Sequence, residues 1–255
     1  MNPLRRLVVA AQGWWVHRTI HLLPPAGGPG SGLIGDSLGE PLRLAVVGES
    51  TAAGSGVTSH QDGFAGALAH GLAESTGRAV LWSVVGQFGA TARRIRHRLV
   101  PQLGPRYDLV VLLAGANDVL SGRPAAEWRE DLTAILDLLA LRTGQTIVVG
   151  TPPFASFPSL PRTLRRHLAE SGHALDEVAR HVCAARADAE WMPSADDRVE
   201  VGLDFFAADG FHPSAIGYRR WADLVRERFA ASCPPCDRPS VPGAPDPVTA
   251  SESTP

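Results

Sequence analysis

The chain has 255 residues, 44% of them hydrophobic and 20% charged, with a net charge of −2. That is enough apolar material for a buried core, which excludes a disordered or collagen-like chain, and the charge balance gives no sign of a nucleic-acid partner. All 24 basic side chains are arginine, so lysine Schiff bases and the phosphate-loop lysine are excluded, and three cysteines do not make a disulfide framework.

In chain order, Arg5 and Arg6 precede an uncharged run, Leu7–Val16, that Arg18 closes. The run is far shorter than the ~20 residues of a membrane-spanning helix. No small-residue cleavage site follows before His21-Leu22-Leu23-Pro24-Pro25, so an export signal is a poor fit. Leu4, Val8, Ala11, Trp15 and Leu22 recur at near-helical spacing with Trp14 beside them. This predicts an amphipathic segment over residues 1–23, packed on its own domain or, through residues 4–23, on a membrane or a second copy. The expected location is cytoplasmic, with membrane-peripheral attachment as the alternative. Residues 24–41 hold six Gly and four Pro and read as a linker or surface loop.

The folded unit is expected over residues 42–231. Leu42–Val47, Ala79–Val85, Tyr107–Ala114 and Gln145–Gly150 are short Val- and Leu-rich runs of the kind that form strands covered on both faces, with a fifth candidate at Ala189–Met192. Helical patterns fill the gaps: Asp62–Thr76, Thr91–Leu103, Pro124–Leu141, Thr163–Arg186 with a break at Ser171-Gly172, and Ser214–Ala231. The alternation predicts a three-layer α/β/α domain with a flavodoxin-like parallel sheet of about five strands. From Ser232 onward seven Pro in 24 residues predict a tail that does not fold alone.

In such sheets function gathers at the carboxyl ends of the strands. There the chain places Gly48-Glu49-Ser50, Gly86-Gln87-Phe88-Gly89 and Gly115-Ala116-Asn117-Asp118, and before the last helix Asp209-Gly210-Phe211-His212-Pro213. Alone, Ser50 is a turn or cap serine, Asn117 a turn residue, and Asp209 a cap for the helix near Ser214. Together a hydroxyl, a histidine with a carboxylate three residues before it, an unobstructed backbone N–H and a neutral amide are the parts of an acyl-transfer site. The turn holding the Asp-His pair reads as local and exposed.

These four blocks, in this order, resemble the SGNH hydrolases, the GDSL-type esterase and lipase superfamily, and the resemblance covers Leu42 to Ala231. It implies Ser50 as nucleophile, His212 as base, Asp209 as its partner, and an oxyanion hole from the N–H groups of Ser50 and Gly86 with the Asn117 amide. Two positions depart from the pattern: Gly-Asp-Ser is Gly-Glu-Ser here, and Val84 stands where an asparagine is common.

The implied function is a serine esterase acting on a small-molecule carboxylic ester with a short acyl chain and needing no cofactor. Acyl transfer, or removal of O-acetyl groups from carbohydrate, uses the same triad and stays open, as does a non-catalytic flavodoxin-like nucleotide-binding module. The insertion after the fourth strand carries Phe154, Phe157 and Leu160, expected to line an acyl pocket with Val119 and Leu120 opposite. No metal site is expected: His17 and His21 lack a third ligand, and Cys233 and Cys236 lack a second pair.

Overall fold

In a computed structural model of the chain, residues 3–36, 39–195 and 201–232 are described. Cys233, Cys236 and the expected Pro-rich tail lie outside them. The five expected strands are present as β2 (Leu42–Gly48), β3 (Val80–Gly86), β4 (Leu109–Leu113), β5 (Thr146–Val149) and β6 (Ala189–Met192). A further strand, β1 (Ser31–Ile34), forms inside the Gly/Pro-rich stretch expected to be a loop and pairs antiparallel with β3. Sheet pairing overrides composition here: backbone hydrogen bonds to an open edge need no particular side chains, and Gly32 lets the indole of Trp82 approach.

The sheet order is β1-β3-β2-β4-β5-β6, with every pair except β1–β3 parallel. From β2 the chain steps one way to β3 and then back across β2 to β4. Right-handed crossovers put helices that travel in opposite directions on opposite faces. Accordingly α2 (Phe64–Thr76) packs with α7 (Ala215–Ser232), while α3 (Ala92–Arg94), α5 (Ala125–Ala140) and α6 (Arg162–Ala184) form the other layer. The reversal opens a crevice at the carboxyl ends of β2, β3 and β4, where open α/β sheets place their ligands.

The expected helix over Thr91–Leu103 is less regular than its pattern. α3 runs into a π-helical turn (Ile95–Leu99) and a 3-10 turn (Val100–Gln102), where Pro101 lacks the N–H that an α-helix would use. The expected break at Ser171-Gly172 is absent, and α6 is continuous. Gly172 instead makes room, because a Cβ there would lie 2.7 Å from Thr151 Oγ1 in the loop after β5.

The N-terminal segment is helix α1 (Pro3–Thr19), docked on α6. Arg5 pairs with Glu170 at 2.7 Å, Gln12 Oε1 accepts the Leu164 N–H at 2.8 Å, and Val9 and Val16 pack against the core. The stripe expected to pack lies one residue out of phase with the docked face: Leu4, Val8 and Trp15 point outward, with Leu7 and Trp14. No helix among the described residues is long and apolar enough to cross a membrane.

Candidate active site

Ser50 sits in the tight turn after β2, where the N–H groups of Ala53 and Ser55 bond the carbonyls of Glu49 and Ser50, each at 3.0 Å. The turn lies hard against Gly86 at the end of β3: a Cβ on Gly86 would fall 2.4 Å from the Ala53 nitrogen. Any larger residue would push the serine turn away, so the glycine is dictated by the approach of two backbones.

The Asp-His pair is built by a self-bonded turn. Asp209 Oδ1 accepts the N–H groups of Phe211 and His212, both at 2.9 Å, which folds the carboxylate over the backbone that follows it. Its Oδ2 accepts from the His212 ring Nδ1 at 2.7 Å, and His212 Nε2 stands 3.1 Å from Ser50 Oγ. Ser214 is the cap of α7, accepting the Gly217 N–H at 3.2 Å, so Asp209 is not needed as a cap. Nor is the pair exposed, since the Asp209 side chain is 1% accessible and that of His212 2%. Burial alone would raise the Asp209 carboxyl, but the His212 ring and the N–H groups of Leu23, His212 and Phe211 overcome it and hold the pKa down to about 2.

The Leu23 bond was not visible in the sequence. Beyond α1 the chain crosses the site edge, where the Leu23 N–H donates to Asp209 Oδ2 at 3.0 Å and the N–H groups of Ala26 and Gly27 bond the carbonyls of Ala53 and Thr58. A backbone donor 186 residues away from its acceptor carries no side-chain signature.

At the end of β4, Asn117 opens the short helix α4 (Ala116–Leu120). Glu49 reaches across to it: Oε1 accepts the Ala116 N–H at 3.2 Å, and Oε2 accepts the Asn117 N–H at 3.1 Å and its amide at 2.8 Å. The amide also donates to the Ala90 carbonyl at 3.2 Å. Thus both hydrogens of the amide expected to face an oxyanion are engaged in this structure, the longer bond being the one to Ala90. Ser50's own N–H has no acceptor among the described residues. Burial is the main influence on Glu49, only partly offset by the three donors, and its pKa is raised to about 8. At neutral pH the carboxyl next to Ser50 is therefore mostly uncharged, and such a group would not oppose a negative charge placed beside Ser50.

Ser50 and His212 border a nearly filled cavity of about 20 Å³, walled by Pro152, Pro153, Phe157, Phe206 and Phe211. Of the residues expected to line an acyl pocket, only Phe157 is there, its ring 5.0 Å from that of Phe211. Val119 and Phe154 are core residues that line neither this cavity nor the next, because the packing of α4 and of the loop after β5 turns them inward. Leu120 and Leu160 line a separate apolar groove of about 350 Å³ under α1, which Phe211 also borders. Phe206 lies outside the insertion where wall residues were expected. It directly follows the 3-10 turn that ends at Phe205, a conformation with no periodic signal in the sequence.

Comparison with known proteins bears on the family and the fold. The chain is 31% identical over 194 residues to the GDSL-like esterase Rv1075c of Mycobacterium tuberculosis (strain ATCC 25618 / H37Rv), covering 72% of this chain and 60% of that protein. The chain thus spans about three fifths of the length of this relative. Among solved structures, the lipase/acylhydrolase from Enterococcus faecalis matches with a TM-score of 0.54 at 20% identity, covering 77% of this chain and 100% of that one. AlinE4, an SGNH-hydrolase family esterase, matches with a TM-score of 0.53 at 23% identity, covering 78% and 100%. These likenesses show a shared three-layer fold. The model of the GDSL-like Lipase/Acylhydrolase family matches residues 46–220, from inside β2 into α7, and the chain belongs to that family.

Proposed function

We propose that the protein is a serine esterase that hydrolyses carboxylic esters with short acyl chains through Ser50, His212 and Asp209. The observation that carries this is the unbroken line from Asp209 Oδ2 through the imidazole to Ser50 Oγ, at 2.7 and 3.1 Å. With its Nδ1–H held by the carboxylate, the ring presents the Nε2 lone pair to the serine hydroxyl. Ser50 Oγ attacks the ester carbonyl as Nε2 takes its proton, and the imidazolium returns that proton to the departing alcohol. Water then attacks the acyl-enzyme with the same ring as base. The oxyanion hole is assigned to the N–H groups of Ser50 and Gly86 and to Asn117, whose amide turns to the oxyanion by releasing the Ala90 carbonyl. A cavity of about 20 Å³ at the nucleophile supports an acyl group of acetyl size, since ~10–15 Å³ already holds one water.

The test is a series of p-nitrophenyl esters from acetate to palmitate. Hydrolysis should peak at the shortest members and vanish in Ser50→Ala with the melting temperature nearly unchanged, and an organophosphonate should label Ser50 alone. Full activity in the Ala variant, or labelling elsewhere, overturns the assignment. A peak at palmitate overturns the short-chain reading.

A further inference from the structure

Next to the site, and not used by the chemistry above, is a cationic groove of about 630 Å³ lined by Gln87, Thr91, Arg93, Arg94, His97 and Arg98. The four basic residues are exposed, and none of their side chains has an ion-pair or hydrogen-bond partner among the described residues. Arg96, in the same run, is turned the other way to Glu130 and Asp131, at 3.5 and 3.2 Å. Arg94 and Arg98 are four residues apart, a spacing at which like charges destabilise a helix by a few tenths of a kcal/mol. A solvated helix face normally intersperses acids, as this chain does on α6 with Arg166 and Glu170 and with Arg180 and Glu177. This face has none, in a chain whose net charge is −2. Its last two basic residues stand on a π-helical turn, an uncommon geometry that recurs at functional sites.

The groove is fixed to the catalytic rim at both ends. Gln87 directly follows Gly86, and its N–H bonds the Gly48 carbonyl at 3.1 Å. The next residue, Phe88, places its ring 5.9 Å from that of His212. At the other end the Ala92 N–H bonds Asp118 Oδ2 at 2.9 Å, one residue after Asn117. The Gln87 amide and the Thr91 hydroxyl add neutral hydrogen-bonding groups to the cations. Three guanidiniums with polar neighbours are suited to the several oxygens and double charge of a phosphate.

We propose that this groove binds a phosphate group carried by the ester substrate, so that the natural substrate is a short-chain ester of a phosphorylated alcohol. The proposal deepens the esterase reading and, as to substrate, rests on it. The phosphate plays no part in bond breaking; it holds the ester over Ser50 and raises its local concentration.

The test uses acetate esters of propanediol and hexanediol monophosphate, each compared with the same ester ending in a hydroxyl. At least one phosphate ester should have a kcat/KM about tenfold above its hydroxyl counterpart, and the advantage should shrink as NaCl is raised, because exposed charges are screened. In Arg93→Gln/Arg94→Gln/Arg98→Gln the ratio should fall to about one, with hydrolysis of the hydroxyl esters within about twofold of wild type. Arg94→Gln alone should lose part of it, which guards against a folding defect in the triple variant. Equal kcat/KM in the wild type, or an advantage that survives in the triple variant, overturns the proposal. Calorimetric binding of the phosphate esters to Ser50→Ala separates the two readings. If neither ester class is hydrolysed but binding is present and lost with the arginines, the groove stands and the esterase reading falls. Should the hydroxyl esters be hydrolysed while the arginines affect neither binding nor preference, the groove alone falls. Inorganic phosphate should compete against the phosphate esters only. If it slows the hydroxyl esters equally, the groove is a site for the free ion, and the substrate assignment is overturned.

Discussion

Each oxygen of Asp209 accepts two hydrogen bonds, Oδ1 from the N–H groups of Phe211 and His212 and Oδ2 from Leu23 and the His212 ring. Asparagine has the same shape, but whichever way its amide turns, its NH₂ faces two donors in a buried place. Asp209→Asn therefore does more than remove a charge; it breaks two bonds and frees the ring to take the other tautomer. In a serine protease of the Ser-His-Asp type the analogous change costs ~10⁴ in kcat. A loss of about that size is expected here, measurable as kcat on a short-chain ester, and a loss below about tenfold would show that the histidine is oriented by something else. Leu23 acts through this carboxylate, as a positioning residue. Leu23→Pro removes its N–H and should lower kcat about tenfold with KM little changed, a hydrogen bond to a charged group contributing ~1.5–3 kcal/mol. Leu23→Ala keeps the N–H and should retain wild-type kcat. If the two variants fall together, the side chain matters and the backbone bond does not.

Among the elements, the turns after β3 and β4 are joined by a buried ion network. Asp118, fully buried, accepts the Ala92 N–H through Oδ2 and the Arg123 guanidinium through Oδ1 at 2.8 Å; Arg123 also pairs with Asp131 at 2.8 Å, to which Arg96 comes within 3.2 Å. Burial raises the Asp118 carboxyl above its ordinary range in spite of these partners. Removing Arg123 leaves two buried carboxylates facing each other, and Arg123→Gln should destabilise the fold by about 3 kcal/mol, read from the urea midpoint. A change under ~1 kcal/mol would mean that the network is solvated and adds little. The sequence names Asp118 in its Asn-Asp block but gives no hint of Arg123, because ion pairing across elements has no periodicity. The same reason separates what was legible from what was not. β4 and β5 are buried on both faces, and β2 is too except at Arg43, so short runs of Val and Leu sufficed, and the candidate residues Ser50, Asp209 and His212 could be singled out because each lies in a short block at a strand end or helix entry. β1 is fixed by a neighbour's open edge, α1 by the shape of α6, and the Ser50 cavity walls by aromatics that meet only in three dimensions.

For the molecule as a whole, the carboxyls that burial raises make stability depend on pH in a direction opposite to that of a protein held by exposed ion pairs, while Asp209 follows the ordinary direction. Asp209, lowered from 3.8 to about 2, contributes stability that is present above pH 3.8 and lost as pH falls toward 2. Asp176, raised by burial from 3.8 to about 6 although Thr151 bonds it through both its N–H and hydroxyl, keeps its proton longer in the fold than in the unfolded chain. Glu49 does the same from 4.5 to about 8. Where the native state binds more protons, stability falls as pH rises, so Asp176 opposes folding increasingly between 3.8 and 6 and Glu49 between 4.5 and 8. His60, lowered from 6.5 by burial, works the other way, but only below its unfolded value. From pH 6.5 to 8 Glu49 is therefore the dominant of these groups, with a slope of up to ~1.4 kcal/mol per pH unit. The urea midpoint and melting temperature should decline across that window. Glu49→Gln should flatten the decline, since glutamine imitates the protonated acid: its carbonyl can take the two bonds now made to Oε2, and its NH₂ replaces Oε1, whose contact with the Ala116 N–H is the long one at 3.2 Å. The same titration reaches the chemistry. Above about pH 8 the ionised Glu49 sits beside Ser50 and holds the Asn117 amide, so kcat of the wild type should drop there while that of Glu49→Gln should not. Parallel profiles for the two proteins, in stability and in kcat, would show that Glu49 is already ionised at neutral pH.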